Sequence, residues 1–350
     1  MFINKKISYN QTIMDDMFKI YTIENDKHRV SFLNIGATIY EWYVKSKKRH
    51  VVLTNANLSD YFDSTKGMLG ATIGRVANRI KDGILTFDNN VYFLETNFDH
   101  GANTGHGGNN GFHTRPFVMQ SIESDRITFG YVSKHMEEGF PGEVMVYVHY
   151  RLDGDALIIN YEAYPDQRTP INLTNHTYFN LSGEDTILNH EIQSNVKYYL
   201  PYNDKKQIAG TKMLVMYTPY ILLDKIKLRD VVMQKELQIP MTNGLDHCYM
   251  FDPDRKQLLR VIGGDLELNV STSYPAVQIY TSGFASKQAL KNSDEPFNKY
   301  RGIALECQYE SDAVSHKYFS DIIFGPDRPY KEEIRYEIKP VIKKWVNWKF

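Results

Sequence analysis

The residues with the clearest chemical content lie in the stretch TPINLTNHTYFNL, at positions 169–181. Three Asn (Asn172, Asn175, Asn180), His176 and Tyr178 are interleaved there with Ile, Leu and Phe. Amides and imidazoles buried among apolar neighbours are unfavourable unless hydrogen-bonded, so this run implies a dense polar network. Such a network either stabilises a turn or places a proton-transfer group, and His is the side chain best matched to proton transfer near neutral pH. A second candidate is Glu306 in GIALECQ, at 302–308. On a strand, Ile303, Leu305 and Cys307 share one face, and Ala304, Glu306 and Gln308 the other. A lone Glu amid small and apolar residues is either an edge residue in solvent or a placed base.

Three further clusters carry polar groups where strand patterns call for something else. GRVANRI at 74–80 holds Arg75, Asn78 and Arg79. The arginines are either solvated loop charges or a fork of donors for an anion or a sugar hydroxyl. NTGHGGNNGF at 103–112 surrounds His106 with glycine, making it a turn residue or a ligand-facing donor. The Lys-Ser/Thr ending of a phosphate loop is missing. His106 and His113 are not spaced as metal ligands on one helical turn, so no zinc site is expected. GLDHCY at 244–249 pairs Asp246 with His247. Neighbours on a strand point to opposite faces, so only one of these two serves a given site.

The elements that must hold these groups read as strands. Val144 to Leu152 alternates apolar and polar residues, Asp153-Gly154-Asp155 supplies a turn, and 156–161 returns as a second strand. Residues 84–87 and 91–94 flank another turn, Asp88-Asn89-Asn90. Further strands are expected over 32–44, 266–271, 277–281, 303–308 and 334–338, with short helices near 59–62 and 312–319. Many short strands without alternating helices point to an antiparallel sandwich or barrel.

Composition limits the partners. Across 350 residues, 41 Lys+Arg against 42 Asp+Glu leave a net charge of −1, which argues against nucleic acid as a partner. No run approaches 18 apolar residues, so no membrane-spanning helix is expected. Residues 1–14 lack the apolar core of a secretory signal. Cys248 and Cys307 fit no disulfide framework or C-x-x-C pattern and read as buried reduced thiols of a cytoplasmic protein. No repeat or linker divides the chain, so residues 1–350 are expected to form one domain that handles a small neutral molecule. Monomer and homodimer both remain open.

Taken in order, GRVANRI (74–80), HGG (106–108), NLTNHTYFNLSG (172–183), GLDHCY (244–249), VQIYTSGF (277–284) and ALECQ (304–308) resemble the aldose 1-epimerase (galactose mutarotase) family. The resemblance runs from about residue 34 to about residue 326. It implies an all-β, large antiparallel β-sandwich of the galactose mutarotase-like supersandwich type with few short helices. It also implies interconversion of the α and β anomers of free hexoses, with an aldose as the small-molecule partner and no cofactor or metal. The family's catalytic pair falls on His176 and Glu306, and its substrate-binding positions on Asn78, Arg79, His106, Tyr178, Asp246 and Gln278. Departures at 103–105, at His113 and over 199–225 bear on substrate preference rather than on reaction type. The competing readings are a non-catalytic carbohydrate-binding protein, a glycosidase, which needs two carboxylates flanking one bond, and an epimerase of hexose 6-phosphates.

Overall fold

The computed structural model describes residues 17–66, 68–235 and 238–341. The 1–14 stretch read above for a leader lies outside them. Two antiparallel sheets form the body. The larger has nine strands, ordered Val118–Ile122, Arg126–Ser133, Val144–Asp153, Ala156–Pro165, Tyr330–Pro340, Leu266–Thr272, Leu259–Gly263, Glu191–Ser194 and Ile226–Lys227. The period-2 pattern sets its inner face: Val144, Val146, Val148, Tyr150 and Leu152 are buried, while Met145 is exposed and Tyr147, His149 and Arg151 half-buried. The expected hairpin closes at Gly154, whose φ of +60° fits a two-residue turn between Asp153 and Ala156.

The second sheet has six strands, ordered Tyr178–Phe179, Ile303–Gln308, Ala276–Tyr280, Asp246–Phe251, Val196–Tyr199 and Met213–Leu214. One face packs on the larger sheet. Phe179 meets Tyr336 edge-on with ring centroids 5.1 Å apart, and the Tyr336 hydroxyl donates to the Leu305 carbonyl at 2.9 Å. The other face lines a cavity. A four-stranded sheet, Ile20–Glu24, His28–Leu33, Thr38–Val44 and Arg49–His50, packs against this body through Phe32 on Tyr150 and Trp42 on Phe179.

Residues 32–44, expected as one strand, are two. The chain turns at Gly36 (φ +64°) and Ala37 (φ +44°), and Asn34 holds the turn by accepting from the Lys19 amide at 2.8 Å. Apolar residues on both sides of Gly36 mask this break in the sequence. The helix expected over 312–319 is a single 3-10 turn, Ala313–Ser315, whereas Leu58–Phe62 forms a 3-10 helix where a short one was read. Among the described residues there are two short α-helices, Leu228–Val232 and Ile239–Thr242, and no helix long and apolar enough to cross a membrane. Cys248 and Cys307 are free and buried.

Burial leaves several histidines hard to protonate. His113 and His247 are pushed down to about 3, and His176 and His190 to about 4. The unfolded chain therefore binds protons below about pH 6.5 that the folded chain refuses. His106 is likewise held well below its ordinary value, so stability is fully present above that pH and is lost as pH falls toward 4, with Glu306, shifted upward, offsetting one of the five. The urea midpoint is accordingly expected to fall steeply between pH 7.5 and 5, with uptake of roughly four protons on unfolding. A midpoint that holds constant over this range contradicts the account.

Candidate active site

Register in the six-stranded sheet decides which side chains meet, because directly opposed residues share a face. Glu306 opposes Gln278, which opposes Cys248; Tyr178 opposes Ala304, which opposes Tyr280, which opposes Asp246. Glu306, Gln278, Asp246, Tyr280 and Tyr178 thus project from one face into a cavity of about 520 Å³. His247 falls in the row of Ile279 and Leu305 on the core face, fully buried. Of the adjacent pair, Asp246 is the one that faces the cavity.

The opposite wall comes from the remaining motifs. Strand Thr174–Asn175 pairs with Thr72–Ile73 and delivers His176. The polar network expected around it is present, and the three asparagines satisfy backbone with it. Asn172 accepts from the Tyr309 amide at 3.0 Å, Asn175 donates to the Gly70 carbonyl at 3.0 Å, and Asn180 donates to the Arg301 carbonyl at 3.0 Å. The amides are structural, and they leave His176 free to face the cavity. Strand Arg79–Lys81 pairs with Asn103–Gly105, which sets His106 beside Asn78. Gly107 has φ +83°, and a Cβ there would lie 2.0 Å from the Gly74 carbonyl oxygen, so only glycine allows this approach.

His176 Nε2 lies 3.4 Å from Glu306 Oε1, and the side chains are 6 % and 2 % exposed. Burial pushes the Glu306 carboxyl well above its usual range, with Asp246 adding to the effect and Arg79 opposing it. Burial also pushes His176 down to about 4. These opposed shifts favour imidazole with carboxylic acid over imidazolium with carboxylate, two arrangements that contain the same number of protons. Burial favours the first arrangement, and hydroxyl donors on the carboxylate would favour the second.

Around this pair the polar groups are already partnered. Gln278 Nε2 donates to Asp246 Oδ1 at 2.7 Å. Arg79 donates through Nε to Asp99 Oδ2 at 2.9 Å and through Nη1 to the Tyr202 hydroxyl at 3.3 Å, with Asp246 Oδ2 3.8 Å from Nη2. Asn78 Oδ1 accepts from the Ser311 hydroxyl at 2.7 Å. All eight residues expected at the site, Asn78, Arg79, His106, His176, Tyr178, Asp246, Gln278 and Glu306, line the one cavity. Sequence reasoning missed Asp99, Tyr202, Phe98 and Tyr280. Tyr280 sits two residues beyond Gln278 on its strand and was legible by alternation. Asp99 and Tyr202 lie in loops with no periodic signal.

Arg75, read as a solvated charge or a ligand donor, is neither. It is 2 % exposed and donates to the carbonyls of Pro141 at 2.6 Å and Gly142 at 2.9 Å and to the Ser133 hydroxyl at 2.6 Å. Ligand atoms of His106, His176 and Glu306 lie within 4.8 Å of one another, a spacing that suits a divalent cation. However, His106 Nδ1 accepts from the Asn78 amide at 3.3 Å, which leaves the ring proton on Nε2. His106 therefore offers the cavity a donor, and the donor set fits acid–base chemistry better than a metal.

A buried carboxyl and an imidazole 3.4 Å apart, at the floor of a pocket rich in hydroxyl-binding groups on a β-sandwich, point to a carbohydrate-handling acid–base enzyme. Residues 19–337 match the aldose 1-epimerase family. The chain is 34% identical over 319 residues to galactose mutarotase of Bos taurus and 35% identical over 319 residues to that of Rattus norvegicus, in each case covering 89% of this chain and 91% of the relative. The crystal structure of an aldose epimerase homologue from C. elegans superposes with a TM-score of 0.86 at 27% identity, over 93% of this chain and all of that one. This chain belongs to the aldose 1-epimerase family and has the galactose mutarotase-like sandwich fold.

Proposed function

We propose that this protein interconverts the α and β anomers of free hexoses such as galactose and glucose. In this reading Glu306 takes the proton of the C1 hydroxyl while His176 protonates the ring oxygen, which opens the ring to the aldehyde. Rotation about C1–C2 and reclosure with the roles reversed give the other anomer. The observation that carries the reading is the 3.4 Å contact between His176 Nε2 and Glu306 Oε1 at the buried floor of the cavity. His106 and Arg79 hold the charge that develops on opening, and Asp246, Gln278 and Asn78 grip the remaining hydroxyls. Tyr178 and Tyr280 supply apolar faces for the C–H side of the sugar. A pure binding module has no need of a buried acid beside an imidazole. A glycosidase needs two free carboxylates, and Asp246 is engaged by Gln278 and faces Arg79.

The single-domain reading of residues 1–350 belongs to this proposal and is supported by one continuous core that runs from Tyr21 to Ile338. A cytoplasmic location likewise rests on the two free, buried thiols.

Polarimetry on freshly dissolved α-D-galactose tests the reaction: catalytic amounts of protein should speed the approach to the equilibrium rotation, and an unchanged rate rejects the proposal. The pH dependence is equally specific. The pair is competent while it holds one proton, and the second is added only near pH 4, where His176 titrates. The rate constant kcat/KM should therefore show no acid limb as pH falls from neutral to about 5. An acid limb centred at the ordinary histidine value of about 6.5 disproves the shared-proton description.

A further inference from the structure

The rim of the cavity carries a cation that anomer exchange does not use. Lys206 and Phe284 both line the cavity but come from different loops, and the Lys206 ammonium lies 4.6 Å from the centre of the Phe284 ring. Arg79 is already held by Asp99 and faces Asp246. Lys206 has no carboxylate at ion-pair distance among the described residues, and an aromatic face leaves the remaining ammonium donors open. Its charge is felt inside the cavity. Although burial pushes the Asp99 carboxyl up, Arg79, Asn103 and, more weakly, Lys206 bring it below its usual range.

The placement is built into the fold. The Asn203 carbonyl accepts from the Lys206 amide at 3.0 Å, and Asn203 Oδ1 accepts from the Lys205 and Gln207 amides at 2.9 Å and 3.0 Å. Gln207 Nε2 in turn donates to Asp82 Oδ1 at 2.8 Å. This turn fixes the root of Lys206 and leaves only its four-carbon stem to move. It lies within 199–225, the part of the sequence that departs most from the family pattern.

Depth orients the sugar. Glu306 is 1 % and His176 5 % exposed, whereas Phe284 is 50 % exposed. With C1 at the floor, the end of the sugar remote from C1 points to the rim, where Lys206 and Phe284 stand. We propose that Lys206 and Phe284 form an anion-accepting rim that admits aldoses bearing a carboxylate at that remote end, the hexuronic acids, alongside neutral hexoses. One ammonium on an aromatic face balances a single negative charge, whereas a phosphate dianion calls for a fork or several donors. The chain-wide charge of −1 does not oppose this, because field at a pocket mouth is set locally. The inference rests on the anomer-exchange reading above and names a further substrate class for the same site.

The test measures kcat/KM for D-galacturonate and D-galactose in wild type, Lys206→Met and Lys206→Glu. The galacturonate-to-galactose ratio should fall about three- to tenfold in Lys206→Met and further in Lys206→Glu. About 0.5 M KCl should lower the wild-type ratio and leave that of Lys206→Met in place. A ratio within about twofold of wild type in Lys206→Met overturns the proposal, as does a wild type that turns over galactose but neither binds nor turns over galacturonate. Should galactose itself not be turned over, the function proposed above fails instead. Calorimetric affinities of the two sugars for wild type and Lys206→Met then decide the rim by the same ratio.

Discussion

Glu306→Gln should lower kcat/KM for anomer exchange by about 10²–10⁴-fold, and His176→Asn by a similar factor. Gln keeps the size of Glu and an acceptor oxygen but takes no proton. Asn at 176 removes the imidazole while keeping a polar group against the cavity. Each variant removes one of the two groups that hold the shared proton, so the losses should not add: the double variant should be little worse than either single one. Polarimetry gives the rates, and a urea curve for each variant shows whether it remains folded. Neither substitution leaves a charged group stranded. Glu306 lacks a hydrogen-bond partner at Oε2 and His176 at Nδ1, so both variants should unfold within about 1 kcal/mol of wild type. Near-full activity in either single variant would remove that residue from the mechanism. A fully additive double variant would show that the two groups act independently.

The pair proposed as catalytic stood out in the sequence because it breaks the local pattern, and the family resemblance gave it its roles. Glu306 interrupts an apolar strand, and His176 sits in a polar run amid Ile, Leu and Phe; each has an environment that ordinary packing would not choose. Alternation left one of Asp246 and His247 for the site; the observed register selects Asp246 and puts Glu306 directly across from Gln278, a position named only by the family resemblance. What the sequence did not show is the part assembled from loops. Asp99 is held against Arg79 by a turn in which Asp99 and His100 both take positive φ, 54° and 60°. Tyr202 reaches the same guanidinium from a stretch without periodicity. Contacts of this kind depend on the path of the chain between strands, which neither residue type nor spacing encodes. The same limit explains the error at 32–44, where Gly36 turns the chain inside a run otherwise rich in apolar and aromatic residues that favour strand. It also explains Arg75, since two arginines four apart look alike until the fold buries one under carbonyls.

Arg75→Met should destabilise the protein by about 3–5 kcal/mol, the range found when one partner of a buried charged network is removed. Desolvation lowers the Arg75 guanidinium only to about 10, so it stays charged at neutral pH, compensated by carbonyl oxygens and by the nearby Glu137. With Met in its place the carbonyls of Pro141 and Gly142 lose donors they cannot regain from water at a position 2 % exposed. Lys should rescue only part of the loss. One ammonium cannot span the two sets of acceptors, Pro141 and Gly142 on Nη1 and Ser133 on Nη2, that the guanidinium fork reaches. The effect should also reach the active site. The Gly74 carbonyl accepts from the Phe112 amide at 2.9 Å and is the atom against which Gly107 packs, next to His106. Loosening residues 74–75 therefore loosens His106, which should lower kcat more than it raises KM, because in the proposed mechanism His106 holds the charge that develops on ring opening. Urea denaturation and polarimetry on the same preparations read both effects. If Arg75→Met unfolds within about 1 kcal/mol of wild type, the carbonyls have found other partners and Arg75 is not what holds residues 133–142 against the site.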